Sequence, residues 1–306
     1  MTISGIIPPL ATPLQDRDSL DLPGMERLIQ RQVDAGIHGL FVLGTTGEGP
    51  GLSQKLRRDV IAESARLCGD VPLYVGITDT SLVDAIRLAQ VAADHGAAAV
   101  VAAPPFYFPA GQTELRHWFT ELADGVPLPL LLYNMPSCTH IDIEQESLTA
   151  LIDHPNIIGL KDSSGDLNYL GQAVQLASNK RPGWPVLVGP EALLIEAMKL
   201  GAVGGVTGGA NLVPSLFTSL YSAIIAADER EASRLQSIVV ELQQLYGFGK
   251  YGSSYLKGLK CALELAGLCS GRLAVPYDAF KAPERERVQT WLNDFAQHGL
   301  LQGHRP

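Results

Sequence analysis

The run Leu73-Tyr74-Val75-Gly76-Ile77, the stretch 81–95 behind it, Gly96, and the run 98–102 decide the architecture. Both runs are short and apolar on both faces, as parallel strands are when helices cover one side and a packed interior the other. Between them Leu82, Ala85, Ile86, Ala89 and Ala93 keep a helical rhythm, and Gly96 stands where that helix should stop. Strand, amphipathic helix, glycine, strand is the grammar of a βα repeat.

The same grammar extends in both directions. Further strands are predicted at 6–11, 39–43, 128–133, 157–161, 186–188 and 203–207. Met25, Leu28, Ile29, Gln32 and Val33 mark a helix stopped by Gly36, and Gly201 closes a helix over 193–200. Eight such units predict a closed (β/α)8 TIM barrel rather than an open, doubly wound sheet. An open nucleotide-binding sheet would favour a G-x-G-x-x-G turn after an early strand, and the first strand here runs into Ala11-Thr12-Pro13. Beyond Ala226 the strands cease, and 229–246, 254–266 and 284–300 read as consecutive helices. The expected organisation is a catalytic barrel over 1–226 and a C-terminal helical extension over 227–306, packed on it without a linker.

Composition narrows the function. The 306 residues are 46% hydrophobic and 18% charged, with a net charge of −9. An acidic chain without a basic cluster is a poor partner for nucleic acid or an anionic membrane. The N-terminal apolar run lacks a basic flank and is broken by Pro8, Pro9 and Pro13, and no stretch has the ~20 apolar residues of a membrane span. Cys68, Cys138, Cys261 and Cys269 form no C-x-x-C pair and no disulfide framework. The expectation is a cytoplasmic enzyme.

In such a barrel the chemistry sits where strands end. Strand six ends in Lys161, after Ile157-Ile158-Gly159-Leu160. An amine rooted among apolar walls is partly desolvated, which lowers its pKa and frees the base that attacks a ketone. The same position also suits a lysine that reaches out to Asp162 or Asp166. Tyr133 ends the adjacent strand, and neighbouring strands lie ~4.8 Å apart, so its phenol is within reach of anything on Lys161. Gly44-Thr45-Thr46-Gly47 offers two hydroxyls and several backbone N–H groups on a tight turn, a shape that holds a carboxylate and equally a plain loop.

Three motifs carry a resemblance: GTTGE at 44–48, YNMP at 133–136 and GLKDSSGD at 159–166. With the flanking sequence they resemble the dihydrodipicolinate synthase / N-acetylneuraminate lyase family over essentially the whole chain. The motifs are specific for the family and far less so for the member. The resemblance implies a class I carbon–carbon or carbon–oxygen lyase that needs no cofactor, because pyruvate or another 2-oxo acid forms a covalent imine on Lys161. It implies Tyr133 as general acid and base and Thr45 as its relay. Thr45 and Thr46 would hold the carboxylate, and Tyr107 would be lent to a neighbouring subunit of a homotetramer built as a dimer of dimers. The second substrate is an aldehyde, or the reaction runs backwards and cleaves a 2-oxo sugar acid.

One departure bears on that substrate. Where authentic dihydrodipicolinate synthases place a carboxylate-binding arginine, this chain has Cys138, and no arginine lies in 137–147. A thiol cannot replace a bidentate guanidinium. The aspartate-semialdehyde reaction of the synthases is therefore disfavoured. In Gly189-Pro190-Glu191, Glu191 resembles the acid that sugar-acid members use to hold hydroxyls. It would also suit a helix N-terminus. Thr207, in the Gly-rich run 204–209, adds a roomy wall at strand eight. Gly189, Glu191 and Thr207 are thus expected at the substrate. The rival readings are a metal-dependent aldolase, a pyridoxal phosphate enzyme and a non-catalytic small-molecule-binding barrel. The histidines (His38, His95, His117, His140, His154, His298, His304) show no ligand spacing, and only the 204–209 run suggests a phosphate cup.

Overall fold

The computed structural model describes residues 3–301; Met1, Thr2 and 302–306, which include His304 and the outer ends of the two expected segments, lie outside the described residues. The βα units follow one another as β1 (Gly5–Ile6), α1 (Leu22–Asp34), β2 (Leu40–Val42), α2 (Gln54–Leu67), β3 (Leu73–Gly76), α3 (Leu82–Asp94), β4 (Ala99–Ala102) and α4 (Gln112–Gly125). Then come β5 (Leu130–Asn134), α5 (Pro136–Thr139), α6 (Gln145–Leu151), β6 (Ile157–Asp162), α7 (Leu167–Lys180), β7 (Val186–Val188), α8 (Leu194–Lys199), β8 (Gly204–Gly205) and α9 (Pro214–Ile225). Ser81 Oγ caps α3, accepting from Asp84 N at 3.3 Å, and Gly36, Gly96 and Gly201 end their helices as expected, at φ 71°, 74° and 105°.

The strands are parallel in the order β1-β8-β7-β6-β5-β4-β3-β2. The cylinder closes between its first two strands. His38 N donates to Ile6 O at 2.9 Å, Phe41 N to Pro8 O at 3.0 Å and Leu10 N to Phe41 O at 2.8 Å. The ladder of β1 is shorter than predicted because Pro8 and Pro9 have no N–H to give it. On the other side β1 and β8 approach so closely that a Cβ on Gly204 would overlap the Gly5 carbonyl oxygen.

Side chains alternate between two packed layers. Ile7, Phe41, Tyr74, Val101, Leu131, Leu187 and Val206 fill the cylinder, while Val42, Val75, Val100, Leu132, Val186 and Val188 face the helices. In β6 the alternation is broken. Leu130 pairs with Ile157 but Leu131 with Gly159, so one extra residue is bulged. Ile158 packs inward and Leu160 outward. Strict period two from Ile158 would send Lys161 toward the helices; the bulge restores it to the interior, opposite Tyr133.

The chain then continues in helices: α10 (Glu229–Leu242), a 3-10 turn over Gln243–Gly247, α11 (Ser254–Leu265) and α12 (Ala282–Phe295). None of the described helices is long and apolar enough to cross a membrane. The tail is tied to the barrel by a buried ion pair. Lys260 Nζ on α11 lies 2.6 Å from Glu48 Oε1 of the β2–α2 loop, each side chain 2% exposed. Lys260 also donates to Arg272 O at 2.6 Å, and Glu48 Oε2 accepts from Ala274 N at 2.8 Å. Removing one member strands the other charge. Lys260→Met is expected to lower the unfolding free energy by about 3–5 kcal/mol in a urea titration, and adding Glu48→Gln should recover most of that loss.

Candidate functional site

Lys161 is 4% exposed, and its Nζ lies over two rings, 3.8 Å from the Tyr133 centroid and 4.9 Å from that of Phe41. It borders a void of about 10 Å³ lined by Ile7, Phe41, Tyr74, Val101, Leu131, Leu187 and Val206. No carboxylate reaches it. Asp162 accepts from Asn134 Nδ2 at 3.0 Å and from Ser164 Oγ at 3.0 Å, and Asp166 caps α7 through Asn168 N at 2.8 Å. Ring faces attract an ammonium by about 0.5–2 kcal/mol. Burial of an unpaired cation costs several kcal/mol, so burial wins and pushes the Lys161 amine down to about 7.

Tyr133 stands beside it because the bulged register pairs these two residues across β5 and β6. Its hydroxyl is 3.2 Å from Thr45 Oγ1, with the Ser163 hydroxyl nearby. Burial pushes the phenol up to about 12, against the pull of both partners. It therefore holds its proton at neutral pH and can deliver it. Ser163 was not among the expected site residues. Its place depends on Gly189, where a Cβ would overlap Ser163 Oγ. Gly189 thus acts by making room between β6 and β7, and its N–H donates to Asp162 O at 2.7 Å.

The turn after β2 presents Thr45 and Thr46. Glu48 N donates to Thr45 O at 3.0 Å and Gly49 N to Gly44 O at 3.2 Å, and Thr12 Oγ1 ties Gly47 O at 2.7 Å. Thr45 is half-buried beside Tyr133, while Thr46 is buried and its Oγ1 lies 2.8 Å from the Tyr255 hydroxyl of α11.

Of these groups Thr45 and Tyr133 line a cavity of about 760 Å³; Lys161, Ser163 and Thr46 lie behind its lining, Lys161 on the small void beneath. Thr45, Tyr133, Met135, Ser137, Cys138 and Thr139 form its inner wall. Glu48, Pro50, Gly252, Ser253, Tyr255, Ala274 and Tyr277 form the outer one. No Arg or Lys lines it among the described residues. Cys138 is a cavity-wall thiol; desolvation pushes its pKa up, opposed by Ser137, Lys161 and Thr45.

Two expected residues, Glu191 and Thr207, stand elsewhere, and Tyr107, expected to be lent to a neighbouring subunit, is on the surface. Tyr107 is 87% exposed on the loop between β4 and α4; Phe106, not Tyr107, lines the cavity of its own chain. Glu191 is buried and turned toward the helices. Its Oε2 accepts from Gly209 N at 2.9 Å and its Oε1 from the Tyr246 hydroxyl at 2.7 Å. Burial pushes it up to about 7, against those two hydrogen bonds. Thr207 follows the inward Val206, and its methyl faces the Leu194 side of Gly205. Strand alternation thus directs it out of the cylinder, and its buried Oγ1 has no partner. Neither residue lines the cavity. The same folding brings in residues that were not among the expected ones: Ser163, Tyr255, and the Glu48–Lys260 pair. Ser163 and Glu48 had a signal, since each lies inside a quoted motif, GLKDSSGD and GTTGE.

Comparison with known proteins places the chain in a family. A family model described as the Dihydrodipicolinate synthetase family matches residues 2–294. An uncharacterised DapA-like lyase of Halobacterium salinarum is 34% identical over 300 residues, covering 98% of this chain and 95% of that protein. A protein of Escherichia coli K12 named as a probable 2-dehydro-3-deoxy-D-pentonate aldolase is 30% identical over 267 residues, covering 87% and 88%. A structure described as dihydrodipicolinate synthase of Bacteroides thetaiotaomicron superposes with a TM-score of 0.91 at 47% identity, covering 95% and 98% of the two chains. A prophage protein of Escherichia coli K12, crystallised with pyruvate, gives 0.90 at 28% identity, covering 96% and 98%. By the match over nearly its whole length and by relatives at 30% identity and above, the chain belongs to the dihydrodipicolinate synthetase family and is one of its lyases.

Proposed function

We propose that this lyase joins pyruvate, or a close 2-oxo acid, to an uncharged hydroxyaldehyde, or runs the same steps backwards. The observation that carries the reading is the unpaired, buried Lys161 amine against the Tyr133 ring. Rotation of its four-carbon stem takes Nζ past the ring edge to the keto carbon. The neutral amine adds to C2, the Tyr133 phenol protonates the departing oxygen, and water leaves to give the imine. Thr45 and Ser163 hold and recharge the phenol. The Thr45 and Thr46 hydroxyls and the N–H groups of their turn hold the carboxylate. The protonated imine draws electrons from C3, a C3 proton is lost, and the enamine carbon attacks the aldehyde. Tyr133 protonates the new alkoxide, and hydrolysis of the imine frees Lys161. The imine is itself the electron sink, so the chemistry asks for no cofactor.

The aldehyde is argued from the cavity. With Cys138 in its wall and no Arg or Lys lining it, a second carboxylate has no cationic partner there. Thr78, Ser137, Thr139, Ser253 and Tyr277 offer hydroxyls instead. The name of the Escherichia coli aldolase relative, a sugar-acid enzyme, agrees. The reading as a 4-hydroxy-tetrahydrodipicolinate synthase stands second, favoured by the 47% identity to the Bacteroides structure. In either reading the exposed Tyr107 is free to enter a neighbouring subunit's site in a homotetramer.

Borohydride with pyruvate should leave one reduced pyruvyl adduct on Lys161 by peptide mass mapping, and none on Lys161→Ala. Screened by product mass, neutral hydroxyaldehydes should then turn over faster than aspartate semialdehyde; the reverse order would favour the synthase. Because the free amine is the nucleophile, imine formation should rise about tenfold between about pH 6 and about pH 8, with its midpoint near 7. A rate that falls with pH would contradict the neutral amine. Tyr133→Phe should slow turnover by roughly 10²–10⁴-fold in steady-state assays.

A further inference from the structure

The tail helix α11 places a second phenol at the cavity. Tyr255 Oη is 2.8 Å from Thr46 Oγ1, and Tyr255 lines the cavity. Three features hold that hydroxyl where it is. Its ring meets the Tyr246 ring edge-on, with centroids 4.7 Å apart at 67°. Tyr246 is fixed by its hydrogen bond to Glu191 Oε1 at 2.7 Å, and Glu191 by Gly209 N at 2.9 Å. Finally, Gly208 leaves the space: a Cβ there would overlap the Tyr255 hydroxyl. The buried acid thus bears on Tyr255 through the Tyr246 ring, and Gly208 alone of the Gly-rich run borders the Tyr255 hydroxyl directly.

Either hydroxyl of the pair is able to donate, and the phenol is the more acidic type; with Tyr255 as donor, Thr46 Oγ1 accepts. Burial, with the nearby Glu191 charge behind it, raises the Tyr255 pKa well above that of a free phenol, so the donor proton is retained. The Thr46 proton is then left to point elsewhere. We propose that Tyr255, braced by Glu191 through Tyr246 and seated in the gap at Gly208, is a positioning residue that turns the Thr46 O–H toward the carboxylate of the 2-oxo acid. Glu191, expected at the substrate itself, acts at one remove, through the two tyrosines. The inference rests on the pyruvate-imine reading and assigns Tyr255 to the keto-acid side of the reaction.

The test is the pyruvate dependence of borohydride trapping and of steady-state turnover in the full chain. The variants are Tyr255→Phe, Gly208→Ala and the two combined, each checked for cooperative unfolding. Tyr255→Phe should raise half-saturation by pyruvate roughly tenfold, the loss of one oriented hydrogen bond to an anion, with kcat at saturating pyruvate within about twofold. Gly208→Ala should do the same by expelling the hydroxyl. The double variant should be no worse than Tyr255→Phe, because the new methyl fills the space the oxygen has left. Half-saturation within twofold of wild type in Tyr255→Phe overturns the proposal. So do multiplying losses in the double variant, or a fall in kcat at unchanged half-saturation. A wild-type protein that pyruvate and borohydride fail to label overturns the imine reading itself, and this proposal with it.

Discussion

An amine with no counter-ion, held inside an apolar cylinder, is the constraint from which the rest of this molecule follows. Desolvation brings Lys161 near neutrality only while every acid around it is otherwise engaged. Four carboxylates near the barrel mouth are diverted by name: Asp162 to Asn134 and Ser164, Asp166 to the start of α7, Glu191 to Gly209 and Tyr246, and Glu48 to Lys260. A carboxylate at ~4 Å from Nζ would favour the ammonium by several kcal/mol in such surroundings and remove the nucleophile.

The C-terminal helices take part in this arrangement. Through Lys260 they hold the loop that carries Thr45 and Thr46, and through Tyr255 they touch Thr46 directly. They also supply the outer wall of the cavity through residues such as Ser253, Ala274 and Tyr277. A barrel without that tail would have the Thr45–Thr46 turn unbraced and its cavity open on one side. Barrel and extension share one site, although the sequence grammar changes sharply between them.

Much of the candidate site was readable because its residues sit near strand ends. Tyr133 and Lys161 are the last residues but one of adjacent strands, and Thr45 and Thr46 follow another. Glu191 and Thr207 were harder. Each is the right residue type beside the right strand, yet Thr207 is turned into the helix layer by the pleat, and Glu191 by partners from distant segments, Tyr246 lying 55 positions away. Gly189 was expected beside the substrate, and its effect is the space it gives Ser163.

The sequence by itself determined the repeating βα order, the short strands apolar on both faces, the glycine stops, and the places of Tyr133 and Lys161 near strand ends. These are local properties, set by side-chain periodicity and backbone preference over a few residues. Tertiary structure alone decided which way the key side chains point. One bulged residue in β6 returns Lys161 to the interior opposite Tyr133, and the folding-back of α11 brings Tyr255 to Thr46, 209 positions away. Strand parity changes with each single-residue shift in pairing, and contacts between distant segments exist only once the cylinder has closed. No stretch of sequence, taken alone, specifies either.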